Sequence, residues 1–89
     1  MVTVLLTTEV KDYESWRKIF DAGEPLRTSS NVSINAVYTS VDNPNKVILI
    51  SEVPTIEAMQ AFMQNPQLAA DMEAGGVIGK PDVTILQKR

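Results

Sequence analysis

The 89-residue chain has no cysteine and no histidine. Without cysteine it can form neither a disulfide nor a thiolate metal site, and its redox compartment cannot be read from its thiols. Without histidine it lacks the usual imidazole base, the usual zinc ligand and the usual axial haem ligand. Basic residues are few as well: eight Lys and Arg against eleven Asp and Glu, a net charge of −3, with no basic stripe from Lys11 to Arg89. Phosphate-backbone binding needs clustered cations, so nucleic acid is not an expected partner. The longest internal aliphatic run is Val47-Ile48-Leu49-Ile50, far short of a membrane span. The start, Met1-Val-Thr-Val-Leu-Leu-Thr-Thr, has neither the basic region nor the apolar length of a signal peptide, so a cytoplasmic location is expected and the sequon Asn31-Val32-Ser33 is read as chance. A chain this short sits near the lower size limit for one self-sufficient core. With disulfides and soft metal sites excluded, a second subunit is the remaining stabiliser.

Only five aromatic residues are present, and three of them are Tyr13, Trp16 and Phe20. The spacing i, i+3, i+7 puts these rings on one side of a helix. Asp12 is a suitable N-cap, and Glu14 lies in the first turn, where the helix dipole favours a carboxylate. The stripe continues through Ile19, Gly23, Leu26 and Arg27, with Gly23-Glu24-Pro25 expected to kink or interrupt the helix. A Val-, Leu- and Thr-rich segment, 2–10, precedes it as a strand. A second strand is expected over about 32–41, alternating Val32, Ile34, Ala36 and Tyr38 against Ser33, Asn35, Val37 and Thr39. The turn Asp42-Asn43-Pro44-Asn45 leads into a third strand at 46–53. Thr55 then caps a helix with the stripe Ile56, Met59, Phe62 and Met63. Asn65 as cap and Pro66 in the first turn restart that helix, and Gly75-Gly76 ends it. A loop through Gly79-Lys80-Pro81 is expected before a last strand at about 82–88.

No linker, repeat or low-complexity segment divides the chain, so residues 1–89 form one domain. The order β-α-β-β-α-β with right-handed crossovers specifies an α+β, ferredoxin-like fold: four antiparallel strands in the order 4-1-3-2, with the helices on one face. The central strands argue for a homodimer. A strand with one wet face should alternate, yet Val4-Leu5-Leu6 and Val47-Ile48-Leu49-Ile50 are apolar on both sides. Helices can cover one face only. The other measures roughly 20 Å by 20 Å, on the order of 400 Å². Burying its apolar part at about 25 cal/mol per Å² contributes several kcal/mol. A two-fold dimer packed sheet against sheet is therefore expected.

The candidate site residues each carry two readings. Tyr13, Trp16 and Phe20 are either the wall of a ligand pocket between helix and sheet or ordinary core. Trp16 is the more informative, because a buried indole N–H needs a partner. Tyr38 offers a polar aromatic from the sheet or an interface residue. Met59 and Phe62, with Met63 and Met72, form a soft stripe suited to an irregular apolar pocket or to core filling. Glu52, at the end of strand three, is a tentative catalytic base if it faces the cavity, where desolvation would raise its pKa. Otherwise it reaches solvent or pairs with a cation. Arg27 either anchors an anionic group or lies along the surface. The segment Gly75-Gly-Val-Ile-Gly-Lys-Pro81 is one residue short of a phosphate loop, puts Pro81 where the hydroxyl should be, and precedes a strand instead of a helix. The carboxylates Asp12, Glu14, Asp21, Glu24, Asp71 and Glu73 are read as caps and solvated helix faces, so neither a metal nor a cofactor is expected.

The segments Val10-Lys-Asp-Tyr-Glu-Ser-Trp-Arg-Lys-Ile-Phe-Asp21, Asp42-Asn43-Pro44, Asn65-Pro66 through Gly79, and Pro81-Asp-Val-Thr-Ile-Leu86 resemble an uncharacterised branch related to the antibiotic biosynthesis monooxygenases, in the dimeric α/β-barrel superfamily. The resemblance spans nearly the whole chain. It implies two ferredoxin-like protomers with facing sheets, forming a dimeric α/β barrel, and a pocket in each protomer between sheet and helices. It also implies a choice of chemistries, among them cofactor-independent oxygenation of phenolic or polyketide substrates, haem degradation and lactone isomerisation. Haem enzymes of the group use a histidine on iron, which this chain lacks. Relatives with the Asp-Tyr-x-x-Trp pattern often carry a histidine where Thr8 stands, and Thr8 is accordingly a candidate polar contact. Two functional readings follow. One is a cofactor-independent monooxygenase or isomerase acting on a small aromatic or polyketide-like molecule. The other is a non-catalytic dimer that binds or senses a small apolar ligand.

Overall fold

The computed structural model describes all residues, 1–89. Its elements are β1 (Val2–Val10), α1 (Tyr13–Ala22), α2 (Glu24–Ser29), β2 (Ser33–Thr39), β3 (Lys46–Val53), α3 (Ile56–Met63), α4 (Pro66–Ala74) and β4 (Val77–Leu86). The strands form one antiparallel sheet in the order β2-β3-β1-β4, which is the expected 4-1-3-2 arrangement. Each helical stretch is broken where the sequence marks a break. Gly23 closes α1 and opens α2, and Asn65-Pro66 starts α4. All three expected caps form: the side chains of Asp12, Thr55 and Asn65 accept from the backbone N–H of Ser15, Ala58 and Gln67 at 2.9, 3.0 and 2.8 Å. The two bonds from Ser15 hold the Asp12 carboxyl below its ordinary pKa, the backbone one foremost.

Two irregularities decide which side chains reach which face. In β2 the register against β3 slips between Ile34, which faces Ser51, and Ala36, which faces Ile50. Asn35 is the extra residue of a bulge. Beyond a one-residue bulge the two-residue alternation inverts. Ile34 and Val37 therefore point to the helices, whereas Ala36 and Tyr38 point away. Unbroken alternation had placed Tyr38 beside Val32 and Ile34, and the bulge overturns that placement.

The second irregularity lies in β4, which begins at Val77, five residues earlier than expected, and ends at Leu86. Val77 and Ile78 pair with Val10 and Glu9, and pairing resumes at Asp82 opposite Thr7. Gly79, Lys80 and Pro81 thus form a bulge, not a loop, opposite the single residue Thr8. Gly79 carries φ 70°, a conformation open to glycine at little cost. Pro81 is tolerated because bulged residues donate nothing to the ladder.

Val10, Trp16 and Val47 form one buried cluster and Val4, Val53 and Met59 another, both between sheet and helices. Asn45 ties the β2–β3 turn to this layer. Its side chain accepts from the backbone N–H of Tyr13 at 2.9 Å and donates to the carbonyl of Lys11 at 3.4 Å, while its own carbonyl accepts from Val10. Asn45→Ala leaves the first N–H of α1 without its partner, and a loss of about 1–3 kcal/mol is expected. Urea denaturation checks this, and an unchanged midpoint would show that water replaces the amide fully.

The opposite face is uncovered. Across it Ala36, Ile50, Leu5 and Thr84 lie in one row and Tyr38, Ile48, Thr7 and Asp82 in the next. Only nine of 89 residues are buried, which leaves the chain with little core of its own. A self-contained monomer of 9.8 kDa should expose about 5,200 Å², whereas this chain exposes 5831 Å². No helix is long and apolar enough to cross a membrane.

Candidate functional site

Between the helices and the inner sheet face lies a partly open cavity of ≈ 120 Å³. Apolar cavities of about 150 Å³ stay dry and admit a single aromatic ring. One wall is the α1–α2 stripe: Trp16, Ile19, Phe20, Gly23, Leu26 and Arg27 all line the cavity. Met59 and Phe62 of α3 form another wall, and the inward residues of β1 and β3, from Val4 to Thr8 and from Leu49 to Val53, make the floor. Trp16 is 6 % exposed and stacks on Phe20 with ring centroids 4.8 Å apart. This close packing depends on Gly75, at the end of α4. A Cβ there would lie 3.1 Å from Cδ1 of the indole.

The floor contains one polar anomaly. Thr8 is 7 % exposed, and its Oγ1 is the only buried side-chain nitrogen or oxygen without a hydrogen-bond partner. A buried orphan of this kind costs about 1–3 kcal/mol. At Thr8 the β4 bulge interrupts the pairing of the two strands, and Pro81 joins the cavity wall. The indole N–H of Trp16 is not such an orphan.

The ionisable groups in the lining are Arg27 and Asp71. Asp71 accepts from the Gln67 amide at 2.9 Å and is half-buried, a correction to its reading as part of a solvated helix face. Arg27 lies over Phe20, its Cζ 4.0 Å from the ring centroid. Desolvation there pushes its pKa down, opposed by Glu24 and, less strongly, Asp21 and Asp71. Arg17 is differently placed. It donates to Tyr13 Oη at 3.3 Å and pairs with Asp21 at 3.1 Å, and the Tyr13 bond chiefly raises its pKa.

Of the residues singled out in the sequence, Thr8, Trp16, Phe20, Met59 and Phe62 meet at this cavity. Three do not. Tyr13 packs behind Trp16, centroids 5.8 Å apart. Tyr38 is 58 % exposed on the outer face, beyond the β2 bulge. Glu52 alternates with Ser51 and Val53 and so also points outward, where Asn35 Nδ2 donates to it at 2.9 Å. The condition for its acting as a base in this cavity, that it face inward, is not met. Ser51 and Asp71 escaped sequence reasoning. Ser51 could have been found from its alternation with Val47, Leu49 and Val53, whereas nothing in the α4 sequence marks Asp71.

The family described as Domain of unknown function (DUF3764) matches residues 1–85. The chain belongs to this family. Its fold is that of the antibiotic biosynthesis monooxygenase-like proteins. The DUF3764 chain resembles a proposed antibiotic biosynthesis monooxygenase from Bordetella bronchiseptica with TM-score 0.79 and 16% identity, over 99% of this chain and 96% of that one. A proposed antibiotic biosynthesis monooxygenase from Nitrosomonas europaea matches with TM-score 0.74 and 13% identity, over 99% and 98%. SnoaB, a cofactor-independent oxygenase from Streptomyces nogalater, matches with TM-score 0.76 and 12% identity, over 99% and 92%. At these identities the likeness establishes the fold. No curated protein matches the DUF3764 chain significantly.

Proposed function

We propose that the protein is a homodimer, joined through the outer sheet faces, in which each protomer binds a small aromatic molecule in the cavity beside Trp16. The observation that carries this reading is Thr8, which lines the cavity floor and whose buried Oγ1 has no hydrogen-bond partner. Folding leaves a buried hydroxyl unsatisfied only at a cost, and a bound hydroxyl or carbonyl would remove that cost. The surrounding rings and methionines supply apolar surface, which favours a flat, hydrophobic ligand body. Ligand pockets combine these two features: an apolar lining and a few placed polar groups.

Thr8→Val separates the two roles of the hydroxyl. The substitution keeps the branched shape and deletes the orphan, so the free protein should gain up to about 1–3 kcal/mol. Phenol should meanwhile bind several-fold more weakly, read from the fluorescence of Trp16, the only tryptophan. A variant that is stabilised yet binds phenol as tightly as the parent would remove Thr8 from the site. If phenol leaves the Trp16 emission of the parent unchanged up to its solubility limit, the cavity reading falls.

A second reading adds chemistry: cofactor-independent monooxygenation of the bound phenol, in which one atom of O2 enters the ring to give a quinone, the other leaves as water, and the substrate itself supplies the electrons. It is supported by the fold shared with SnoaB and by the predominantly apolar lining of the cavity. Glu52 has no part in it, since Asn35 holds its carboxylate on the other face. Asp71 is the carboxylate available at the cavity. Oxygen uptake with a panel of acidic phenols distinguishes the readings. Uptake above the uncatalysed rate supports the oxygenase, and saturable binding without uptake supports the binding protein.

A further inference from the structure

Arg27 is anomalous among the charged residues. It lines an apolar cavity, it is half-buried, and no carboxylate lies within 4 Å of it, the one ion pair being Arg17–Asp21. A desolvated guanidinium without a paired anion is costly unless something else interacts with it. Part of that interaction is the face of Phe20, 4.0 Å away. That contact uses no N–H donor, and no ion pair engages the group's donors. Those donors form a rigid fork whose spacing matches a carboxylate in two parallel hydrogen bonds. The guanidinium also sits close to the main chain. Its Nη1 lies over the bare backbone of Gly23, where an added Cβ would come within 3.2 Å.

The cavity thus has on its lining a free cation, Arg27, and Thr8, whose buried hydroxyl has no partner, together with aromatic rings and thioethers. Its volume suits one aromatic ring. We propose that the ligand is a hydroxylated aromatic monocarboxylate, its carboxylate paired with Arg27 and its hydroxyl bonded to Thr8 Oγ1. This rests on the cavity-binding reading above and narrows it from aromatic molecules in general to aromatic acids. Glu24, Asp21 and Asp71 are the acidic groups nearest Arg27, and they help to keep it charged without occupying its donors. The same carboxylates disfavour a second negative charge, which limits the ligand to a monoanion.

The test is a set of titrations by calorimetry and Trp16 fluorescence with 4-hydroxybenzoate, its neutral amide and phenol. Parent protein, Arg27→Met and Thr8→Val are compared, with circular dichroism confirming that each is folded. The parent should bind 4-hydroxybenzoate at least about ten-fold more tightly than 4-hydroxybenzamide, as charge-assisted pairing requires. Arg27→Met should abolish that preference, read as the ratio of acid to amide affinity within the same variant, so that any general change in the wall cancels. Arg27→Lys, which keeps the charge but not the fork, should recover only part of the preference. Two results would overturn the proposal. If the acid and the amide bind the parent equally while phenol still binds, the carboxylate assignment fails and the cavity reading stands. If none of the three binds, both fail together.

Discussion

Trp16→Ala is expected to remove about 3–5 kcal/mol of stability, the range for deleting a buried large aromatic side chain. For a domain of this size each kcal/mol corresponds to roughly 4–8 °C in Tm, so the melting temperature should fall by at least about 12 °C. The indole is 6 % exposed, stacks on Phe20, packs with Val10 and Val47, and fills the space left by Gly75. It therefore joins α1 to β1, to β3 and to the end of α4. With nine buried residues in the protomer, no other side chain can take over that position. Trp16→Phe should retain most of the stability, since it keeps a ring against Phe20. Thermal unfolding at fixed protein concentration gives the answer. A drop of only a few degrees for the alanine variant would mean that the cavity wall collapses around the gap and that Trp16 is not the keystone described here.

The second large effect is expected on the outer face. Ile50 sits on a central strand between Leu5 and Ala36, in the middle of the uncovered sheet surface. Ile50→Lys would place an unpaired charge at the centre of the proposed dimer interface. Leaving a charge buried without a partner costs about 3–5 kcal/mol. Association should weaken by two orders of magnitude or more, with little change to the protomer fold, because the side chain points away from both core clusters. Sedimentation velocity at micromolar concentration should show a dimer for the parent and a monomer for the variant. A parent that is monomeric under these conditions would refute the dimer. A variant that still dimerises would place the interface elsewhere.

The fold was legible because its signals were local and mutually consistent. Asp12, Thr55 and Asn65 are cap residues placed directly before helical apolar patterns, and each caps as its type predicts. The stripe from Trp16 to Arg27 has helical spacing across the break at Gly23, and every position in it lines the cavity. What escaped was non-local. Tyr38 changes face because Asn35 is an extra residue relative to β3, and no residue in β2 announces that count by itself. The start of β4 was misplaced because Gly79-Lys80-Pro81 has loop composition, while the pairing of Val77 and Ile78 with β1 depends on another part of the chain.

Asn45 and Asp71 illustrate the same limit. Asn45 reads as a turn residue, yet its decisive bonds reach 32 and 34 residues back, to Tyr13 and Lys11. Asp71 reads as an exposed helical carboxylate, yet it lines the cavity. Glu52 was placed correctly at the end of β3, but its face follows from strand register, and register turns it outward to Asn35.

If the cavity beside Trp16 is a ligand site, a crystal of the parent protein soaked with 4-bromophenol should show one bromine per chain inside the cavity, marked by its anomalous signal, with the phenol oxygen within hydrogen-bond distance of Thr8 Oγ1 and the ring against Trp16 or Phe20. An empty or collapsed cavity at full soaking concentration, or bromine only on the outer surface, would contradict it.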